Sequence, residues 1–497
     1  MLKRVCSQCG GAVSQYNPES RCAPCSRVGR EAGIPDRAWR DECVYRALTA
    51  WDFATVLRLV RHRSGRSQKT IQGLTGLAQS FISDLENDRK QVEGRETIIA
   101  LLTGLGLPAD LRQLLLAPFG QAAADSLAEA ADPALPWTAA RMVTALDAAA
   151  GGAMNRMNRR SVIAALGGAG LAQYVLHAAI APAEAMASTS TGGVRVSRDI
   201  LTSLQGTTDV LRQADASHGS GTLARTASTH LKVLLGLMKD GTFDEDTGRQ
   251  LAAVTADTAI QTGWYLFDSG AHSAAQNLLL GALRAAHASG DTRLRAGALS
   301  FLAIHEYSVG DPRNAITAAR TARQIIADQD APALHSMLLT RQARGHARLR
   351  EGRQAAAALD EAEQLCARGR GEDDPHWLYW INRGEIQGQT GSCYLDLGQP
   401  VQAAEIFAQA RSALGSDELR TRAQFLSRSA TALMRAGDAD GGCAAGQEVL
   451  SMVSGVKSAR LDENLATMLA EARRYNSTAP ARELLERGQT VMRERAA

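Results

Sequence analysis

Aromatic residues and strand patterns are both scarce in this sequence. Phe, Trp and Tyr make up only 4% of the 497 residues, and alanine and leucine supply most of the apolar positions instead. Apolar residues recur at helical spacing, and no segment shows the strict alternation of a half-buried strand. We therefore predict an all-α chain that is long enough for several domains with their own cores.

Patterns that would indicate an enzyme are missing as well. The ten histidines are scattered, and no glycine-rich phosphate loop follows a strand pattern. No constellation of catalytic side chains can be assembled from the sequence. We expect a protein that is not an enzyme.

One apolar run has features of an export signal or a membrane span. Val162–Ala181 follows twin arginines, Arg159 and Arg160, as in a twin-arginine export signal. It lies deep within the chain, however, and carries Gln173 and His177. We interpret it as a buried or interface helix, with export or membrane insertion as the alternative. The first residues do not have the pattern of a secretory signal, so we expect a cytoplasmic protein without a membrane span.

Cysteine is concentrated at the start of the chain. Cys6, Cys9, Cys22 and Cys25 form two Cys-x-x-Cys knuckles, whereas the other four cysteines are scattered. Four thiolates at this spacing can surround one tetrahedral Zn²⁺ in a closed structural site. A segment this small has too little core to fold without its ion. We predict a zinc ribbon over residues 1–30, and the alternatives are two disulfides or a redox pair.

The stretch Ser67–Arg89 has the pattern of two short helices joined by a tight turn. Ser67 is a good N-cap for a helix over residues 68–75, and Gly76 can adopt the positive φ of a turn before a helix over residues 79–87. The inward positions at helical spacing are Ile71, Leu74, Leu77, Ile82 and Leu85. The alternative is an ordinary helical hairpin with a solvated outer face.

This stretch resembles the helix-turn-helix of the phage-repressor (Xre-like) family. The resemblance rests on Ser67-Gln68, Leu74-Thr75-Gly76-Leu77, Ile82 and Leu85-Glu86-Asn87. It implies a five-helix DNA-binding domain over about Phe53–Pro118 that works as a homodimer on paired half-sites. Residues 1–70 hold 13 Lys and Arg against 6 Asp and Glu, and this positive charge lies beside the predicted DNA reader.

The resemblance also implies which side chains contact double-stranded DNA. The start of the second helix would face bases, and its far end and the first helix would contact phosphates. The expected DNA contacts are Gln68, Lys69, Gln79, Ser80, Ser83, Asp84, Asn87, Arg89 and Lys90. Three residues depart from the family pattern. Gln72 stands where close helix packing usually places Ala, Ala78 cannot cap the second helix, and Asp84 would be repelled by phosphate.

A unit of two helices recurs from about residue 242 onward. Its turns lie at Gly270, Gly310, Gly352, Gly398 and Gly437 and near Tyr475, at intervals of 38 to 46 residues. This period is typical of an α-solenoid, in which each unit covers its neighbour's apolar face. The unit around Gly391, Gly398 and Phe407 resembles a tetratricopeptide repeat. The alternative is an irregular helical bundle.

The sequence thus divides into four predicted segments. They are a zinc ribbon at 1–30, the helix-turn-helix domain at 31–119, an Ala-rich linker with connecting helices at 120–194 and a tetratricopeptide-like α-solenoid at 195–497. Within the linker, Thr138–Ala149 is a candidate dimer-forming helix. Trp377, Tyr379 and Trp380 follow a charged loop and form a candidate ligand patch, with core packing as the alternative.

The layout resembles actinobacterial Xre-like regulators with a tetratricopeptide C-terminal half. It implies a DNA-binding transcription regulator whose repeats sense a peptide, a small molecule or a partner protein. The alternative is a protein-interaction scaffold whose helix-turn-helix has lost DNA affinity, which the three departures keep open.

Overall fold

The fold is taken from a computed structural model. It describes residues 52–75, 77–87, 137–154, 168–180, 192–221, 223–415 and 418–496, together with short runs between 34 and 47 and positions 89, 101, 105 and 107. The regular secondary structure of these residues is helical, apart from one isolated β-bridge between Arg195 and Thr242. The all-α prediction is therefore confirmed for this part of the chain. The chain forms two compact units, residues 1–124 with 158–163, and residues 125–157 with 164–497.

The described helices of the first unit share one apolar core. They are α1 (Asp36–Trp39), α2 (Phe53–Ser64), α3 (Gln68–Thr75) and α4 (Gln79–Glu86). Ile71, Ile82 and Leu85 are buried in this core, and Leu74 and Leu77 pack partly buried against it. The predicted inward face of α3 and α4 is therefore confirmed.

Local sequence sets the ends of α2 and the start of α3. Asp52 caps α2, because its Oδ1 accepts a hydrogen bond from the Thr55 amide at 2.9 Å. The helix stops at Gly65, whose φ of +65° is the left-handed conformation that glycine adopts without strain. Ser67 Oγ then accepts from the Thr70 amide at 3.1 Å and caps α3 as the sequence predicts.

The second unit is built mainly from α-helices, with short 3-10 helices at His376–Leu378 and Arg473–Tyr475. The α-helices of its described residues follow in chain order. They are α5 (Ala139–Met154), α6 (Gly168–Ile180), α7 (Arg198–His218), α8 (Leu223–Asp240), α9 (Glu245–Asp268), α10 (His272–Ser289), α11 (Thr292–Val309), α12 (Pro312–Ile325), α13 (Pro332–Arg348), α14 (Gly352–Ala367), α15 (Arg383–Leu397), α16 (Pro400–Ala413), α17 (Leu419–Arg435), α18 (Ala439–Met452), α19 (Ala459–Ala472) and α20 (Ala479–Ala496). From α9 to α20 they form the six consecutive pairs that the repeat predicts. The C-terminal helical solenoid is therefore confirmed.

Glycine has two distinct uses in these pairs. At the turns, Gly270, Gly398 and Gly437 have φ angles of +86°, +79° and +94°, which a residue with a Cβ rarely adopts. Inside α15, a Cβ at Gly391 would lie 2.9 Å from Phe407 Cδ1. This glycine therefore allows α15 and α16 to approach closely enough for the ring to pack on the backbone.

Helices α5 and α6 pack into the second unit and do not form a free linker. Leu146 of α5 is fully buried, and a Cβ at Gly281 of α10 would lie 2.8 Å from Leu146 Cδ2. Tyr174 of α6 is also buried, and its hydroxyl donates to the Leu280 carbonyl at 3.0 Å. The apolar face of Thr138–Ala149 therefore packs within the chain, which corrects its interpretation as a dimer-forming surface.

Several predictions lie outside the described residues. These are the zinc cysteines Cys6, Cys9, Cys22 and Cys25, the turn residue Gly76, the DNA contact Lys90, the twin arginines Arg159 and Arg160, and most of the two closing helices of the reader. Of the apolar run that follows the twin arginines, Gly168–Ile180 is described and is helix α6, which buries Leu171, Tyr174, Val175 and Ala178. None of the described helices is long and apolar enough to cross a membrane.

Candidate nucleic-acid interface and helical-repeat cavity

Helix α4 has one buried face and one polar face. Ile82 and Leu85 are at most 1% exposed and fix the helix on the core of the first unit. Gln79 and Ser80 at its start are exposed. These two of the expected base contacts are therefore exposed to solvent at the N-terminal end of α4. The core of the first unit holds this helix in place.

The other expected base contacts are less exposed. Ser83 and Asp84 are half-buried. Ala78 provides no side-chain cap for α4, as its sequence predicts. The amides of the first turn of α4 therefore receive no capping hydrogen bond from Ala78, and this end of the helix carries the partial positive charge of the helix dipole.

Glu86, at the end of α4, connects this helix to α2 and α3. It is 6% exposed and accepts hydrogen bonds from Arg61 Nε of α2 and, at 2.7 Å, from Gln68 Nε2 of α3. The family resemblance implies that Gln68 contacts a DNA phosphate. In this structure the side chains of Arg61 and Gln68 both bind the Glu86 carboxylate. They lie 25 and 18 residues before Glu86, so no local sequence pattern predicts these contacts.

The remaining expected phosphate contacts lie near the helix ends. Lys69, Asn87 and Arg89 are exposed. Asn87 Nδ2 donates to the Ser83 carbonyl at 2.7 Å, and the Arg89 amide donates to the Asp84 carbonyl at 2.8 Å. These bonds hold the segment after α4 against the helix, with the Arg89 side chain on the surface.

Gln72 does not crowd the two helices, contrary to the packing that the family resemblance implies. Its side chain is exposed, and the next residue, Gly73, has no atom within 4 Å of where its Cβ would be. The position of Gln72 on the outer side of α3 explains why a larger residue than Ala is accommodated there.

The second unit encloses a cavity of about 490 Å³. It is lined by the first helix of each of the six pairs, together with α7 and the segment before α15. The aromatic lining consists of Trp264, Phe301, Tyr307, Tyr379, Trp380 and Phe425, and the charged lining consists of Arg212, Asp215, Arg341, Glu385, Glu418, Arg420 and Arg460. Such a volume lies within the range of about 300–1,000 Å³ that is usual for small-molecule sites.

The predicted aromatic patch is divided by the fold. Tyr379 and Trp380 line the cavity, and Tyr379 is 50% exposed. Trp377 is only 6% exposed and packs against α11, where a Cβ at Gly297 would lie 3.2 Å from its ring. The alternative of core packing therefore describes Trp377, and the ligand-patch interpretation is retained only for the other two residues.

Asp215 of α7 is the centre of a buried network at one side of the cavity. Its Oδ2 accepts from Trp264 Nε1 at 2.9 Å and from Arg420 Nη1 at 2.5 Å. Arg212, on the same helix, pairs with Asp257 at 2.6 Å. These bonds join α7 to α9 and α17, which are far apart in the sequence, so the cavity wall is closed by long-range ion pairs.

Comparisons with known proteins identify the domain that holds α4. A family model described as a helix-turn-helix domain matches residues 52–115. This match confirms the helix-turn-helix prediction, while the phage-repressor assignment stays a prediction. No curated protein matches the chain.

Two solved structures are similar to most of the chain. A monomeric mutant of IFIT1 with Gppp-AAAA is 10% identical, covers 94% of this chain and 99% of its own, and has a TM-score of 0.33. Yeast Tom70 is 11% identical, covers 91% of this chain and 98% of its own, and has a TM-score of 0.29. Neither score reaches 0.5, so neither likeness carries an argument about this chain.

Proposed function

We propose that the chain is a sequence-specific DNA-binding transcription regulator whose helical-repeat unit senses a peptide, a small molecule or a partner protein. The observation that carries the proposal is the exposed polar start of α4, Gln79 and Ser80, on a helix that Ile82 and Leu85 anchor to the core. Short polar side chains on an anchored helix of a helix-turn-helix domain suit reading of base edges in the major groove.

Each expected DNA contact has a role in this proposal. Gln79 and Ser80 read bases, with Ser83 and Asp84 one turn further along α4. Lys69, Arg89 and Lys90 contact phosphates, and Asn87 holds the end of α4. Gln68 positions Glu86 in the free protein and reaches a phosphate only if it exchanges that partner.

The proposal includes two features that extend the DNA reader. Cys6, Cys9, Cys22 and Cys25 hold one structural Zn²⁺, which folds the N-terminal segment beside the reader. Two chains form a homodimer, so that two α4 helices reach half-sites about 34–36 Å apart. The protein acts in the cytoplasm and catalyses no reaction.

The proposal is tested by the salt dependence of DNA binding. Full-length protein is titrated into labelled genomic fragments at rising salt, and fluorescence anisotropy gives the affinity. We expect one class of fragments to bind more tightly than the rest at physiological salt. Arg89→Ala should weaken binding to all fragments alike and reduce the salt slope by about 1. Arg313→Ala, an exposed residue of the repeat unit, is the matched control and should change neither.

The second candidate function is a protein-interaction scaffold. Two observations favour it, namely the acidic Asp84 on the reading helix and the side chain of Gln68 already bound to Glu86. A scaffold would bind all fragments equally weakly, and its affinity would be governed by salt alone. Equal affinity for every fragment would therefore contradict the regulator hypothesis and support the scaffold hypothesis.

A further inference from the structure

Arg341 is a buried cation that forms no ion pair with the described carboxylates. The residue is 2% exposed and lines the cavity of the second unit. Its Nε donates to Ser300 Oγ at 3.4 Å and its Nη1 donates to Thr340 Oγ1 at 3.3 Å, and both acceptors are neutral. No ion pair within 4.0 Å joins it to a carboxylate of the described residues. A buried guanidinium in this state is costly to folding, so a role at a binding site explains its presence better than stability does.

A second guanidinium in the same cavity is only weakly paired. Arg460 of α19 lies 5.1 Å from the ring centroid of Trp264 and 5.6 Å from that of Phe267. The nearest carboxylate oxygen among the described residues is Asp268 Oδ1, at 4.0 Å, beyond hydrogen-bond distance. By contrast, the other two arginines of the lining, Arg212 and Arg420, are both paired with aspartates.

Aromatic rings stand beside these two cations. The Arg341 guanidinium lies 5.8 Å from the ring centroid of Trp380, and Phe301 lies 5.4 Å from Trp264, centroid to centroid. Flat apolar surfaces beside a guanidinium suit a molecule that combines a ring system with an acidic group.

The two carboxylates of the lining that have no ion-pair partner are held by neutral donors. Glu385 accepts from Gln389 Nε2 at 2.9 Å. Glu418 accepts from Asn382 Nδ2 at 3.2 Å and from the Gly415 amide at 2.8 Å. Neither is within 4.0 Å of a described cation. Arg341 therefore has no carboxylate partner among the described residues, and the charge of Arg460 is only partly offset by Asp268 at 4.0 Å.

We propose that this cavity binds a small organic anion whose rings lie among Trp264, Phe301 and Trp380 and whose negative charge is held by Arg341 and Arg460. This inference deepens the sensing part of the proposed function and rests on it for its biological meaning. The anion contacts the first helices of several pairs at once, so its binding favours one arrangement of the repeats over others.

The probe is 8-anilinonaphthalene-1-sulfonate, a fluorescent organic anion, and its neutral counterpart is N-phenyl-1-naphthylamine, which has the same rings without the sulfonate. Full-length protein is titrated with each, without DNA. We expect saturable binding of one sulfonate per chain and about tenfold weaker binding of the neutral compound, as for the loss of one charged hydrogen bond.

Two variants and a control assign the site. Arg341→Met and Arg460→Met should each weaken sulfonate binding about tenfold. Arg313→Met, whose side chain is 76% exposed on α12, should leave it unchanged. Thermal unfolding separates binding from folding, because removal of the buried unpaired charge in Arg341→Met should keep or raise the midpoint.

Equal binding of the two compounds, or equal sulfonate binding by wild type and both arginine variants, would overturn the proposal. Because the titration contains no DNA, its result is independent of the regulator hypothesis. If the protein binds the sulfonate through Arg341 but shows no DNA sequence preference, the anion site is supported and the regulator hypothesis is rejected.

Discussion

Glu86 and Arg61 form a partly buried ion pair that joins the last turn of α4 to α2. The carboxylate is 6% exposed, and its only other side-chain donor among the described residues is Gln68. The reading helix therefore takes its orientation from a charge pair as well as from Ile82 and Leu85. A change that leaves this carboxylate with one donor should loosen α4 without touching its outer face.

The substitution Arg61→Met tests this pair. It should lower the local stability of α2–α4 by about 1–3 kcal/mol, since a buried acceptor loses its charged donor. Hydrogen–deuterium exchange of peptides from α2–α4 in the full chain measures this directly. His62→Met, at an exposed position on the same helix, is the control and should have little effect. Equal exchange in the two variants would mean that the ion pair does not hold α4.

Two glycines of the reader should respond to alanine in opposite directions. Gly73 lies within α3 with open space around it, so Gly73→Ala should slow exchange in α3 by up to about fivefold, or about 1 kcal/mol. Gly65 has a φ of +65°, so Gly65→Ala should accelerate exchange at the end of α2 by a similar factor. If both substitutions slowed exchange, or both accelerated it, the assigned backbone conformations would be contradicted.

A buried network in the repeats should make stability depend on pH. Asp396 pairs with Arg344 and Arg428, both at 3.0 Å. Burial alone would raise the pKa of Asp396, but the two guanidinium groups outweigh it and hold the pKa below its usual value. Since the folded pKa lies below the unfolded one, the stabilisation is complete above the unfolded pKa of about 3.9 and is lost as pH falls through the folded pKa.

Asp396→Asn is the corresponding test. It should lower the free energy of unfolding by about 3–5 kcal/mol at pH 7, because two buried cations lose their partner. It should also remove part of the acid-induced loss of stability, both measured by urea unfolding at pH 7 and at acid pH. Glu245→Gln breaks an exposed pair with Arg249 and should change stability by less than about 0.5 kcal/mol. A similar small effect of both variants would show that the network is not stabilising.

Metal analysis tests the predicted zinc ribbon. Purified full-length protein should contain one zinc per chain, and Cys9→Ser or Cys22→Ser should release it, because a closed tetrahedral site needs all four thiolates. Cys43→Ser lies outside the two knuckles and should retain it. Protein without zinc, with disulfides or free thiols at these positions, would favour the alternative that the cysteine pattern leaves open.

Much of the fold could be predicted from local sequence signals. Ser67 and the apolar positions of α3 and α4 are local signals, so the bounds of α3 were predicted from capping and spacing alone. Five glycines and Tyr475 marked the turns of the six repeat pairs. Three of these glycines, Gly270, Gly398 and Gly437, adopt the left-handed conformation that a Cβ disfavours. Helix α5 was interpreted as a dimer-forming helix within a linker because alanine-rich composition does not specify which neighbour covers an apolar face.

The charged contacts could not be predicted in the same way. Arg61 and Glu86 are 25 residues apart, and Asp215 and Arg420 are 205 residues apart, so no spacing rule connects them. Trp377, Tyr379 and Trp380 are near neighbours in sequence, yet the turn before α15 sends the first into the core and the others to the cavity. Such divisions depend on tertiary packing.

The most direct test of DNA reading by α4 is selection of DNA from a random-sequence library by the full-length protein, followed by sequencing. We predict an enriched motif for wild type. For Gln79→Ala we predict loss of preference at one or two positions of that motif, with overall retention of binding. Ser477→Ala, at an exposed position of the repeats, should select the wild-type motif. The account is contradicted if wild type enriches no motif, or if Gln79→Ala selects the same motif with the same strength at every position.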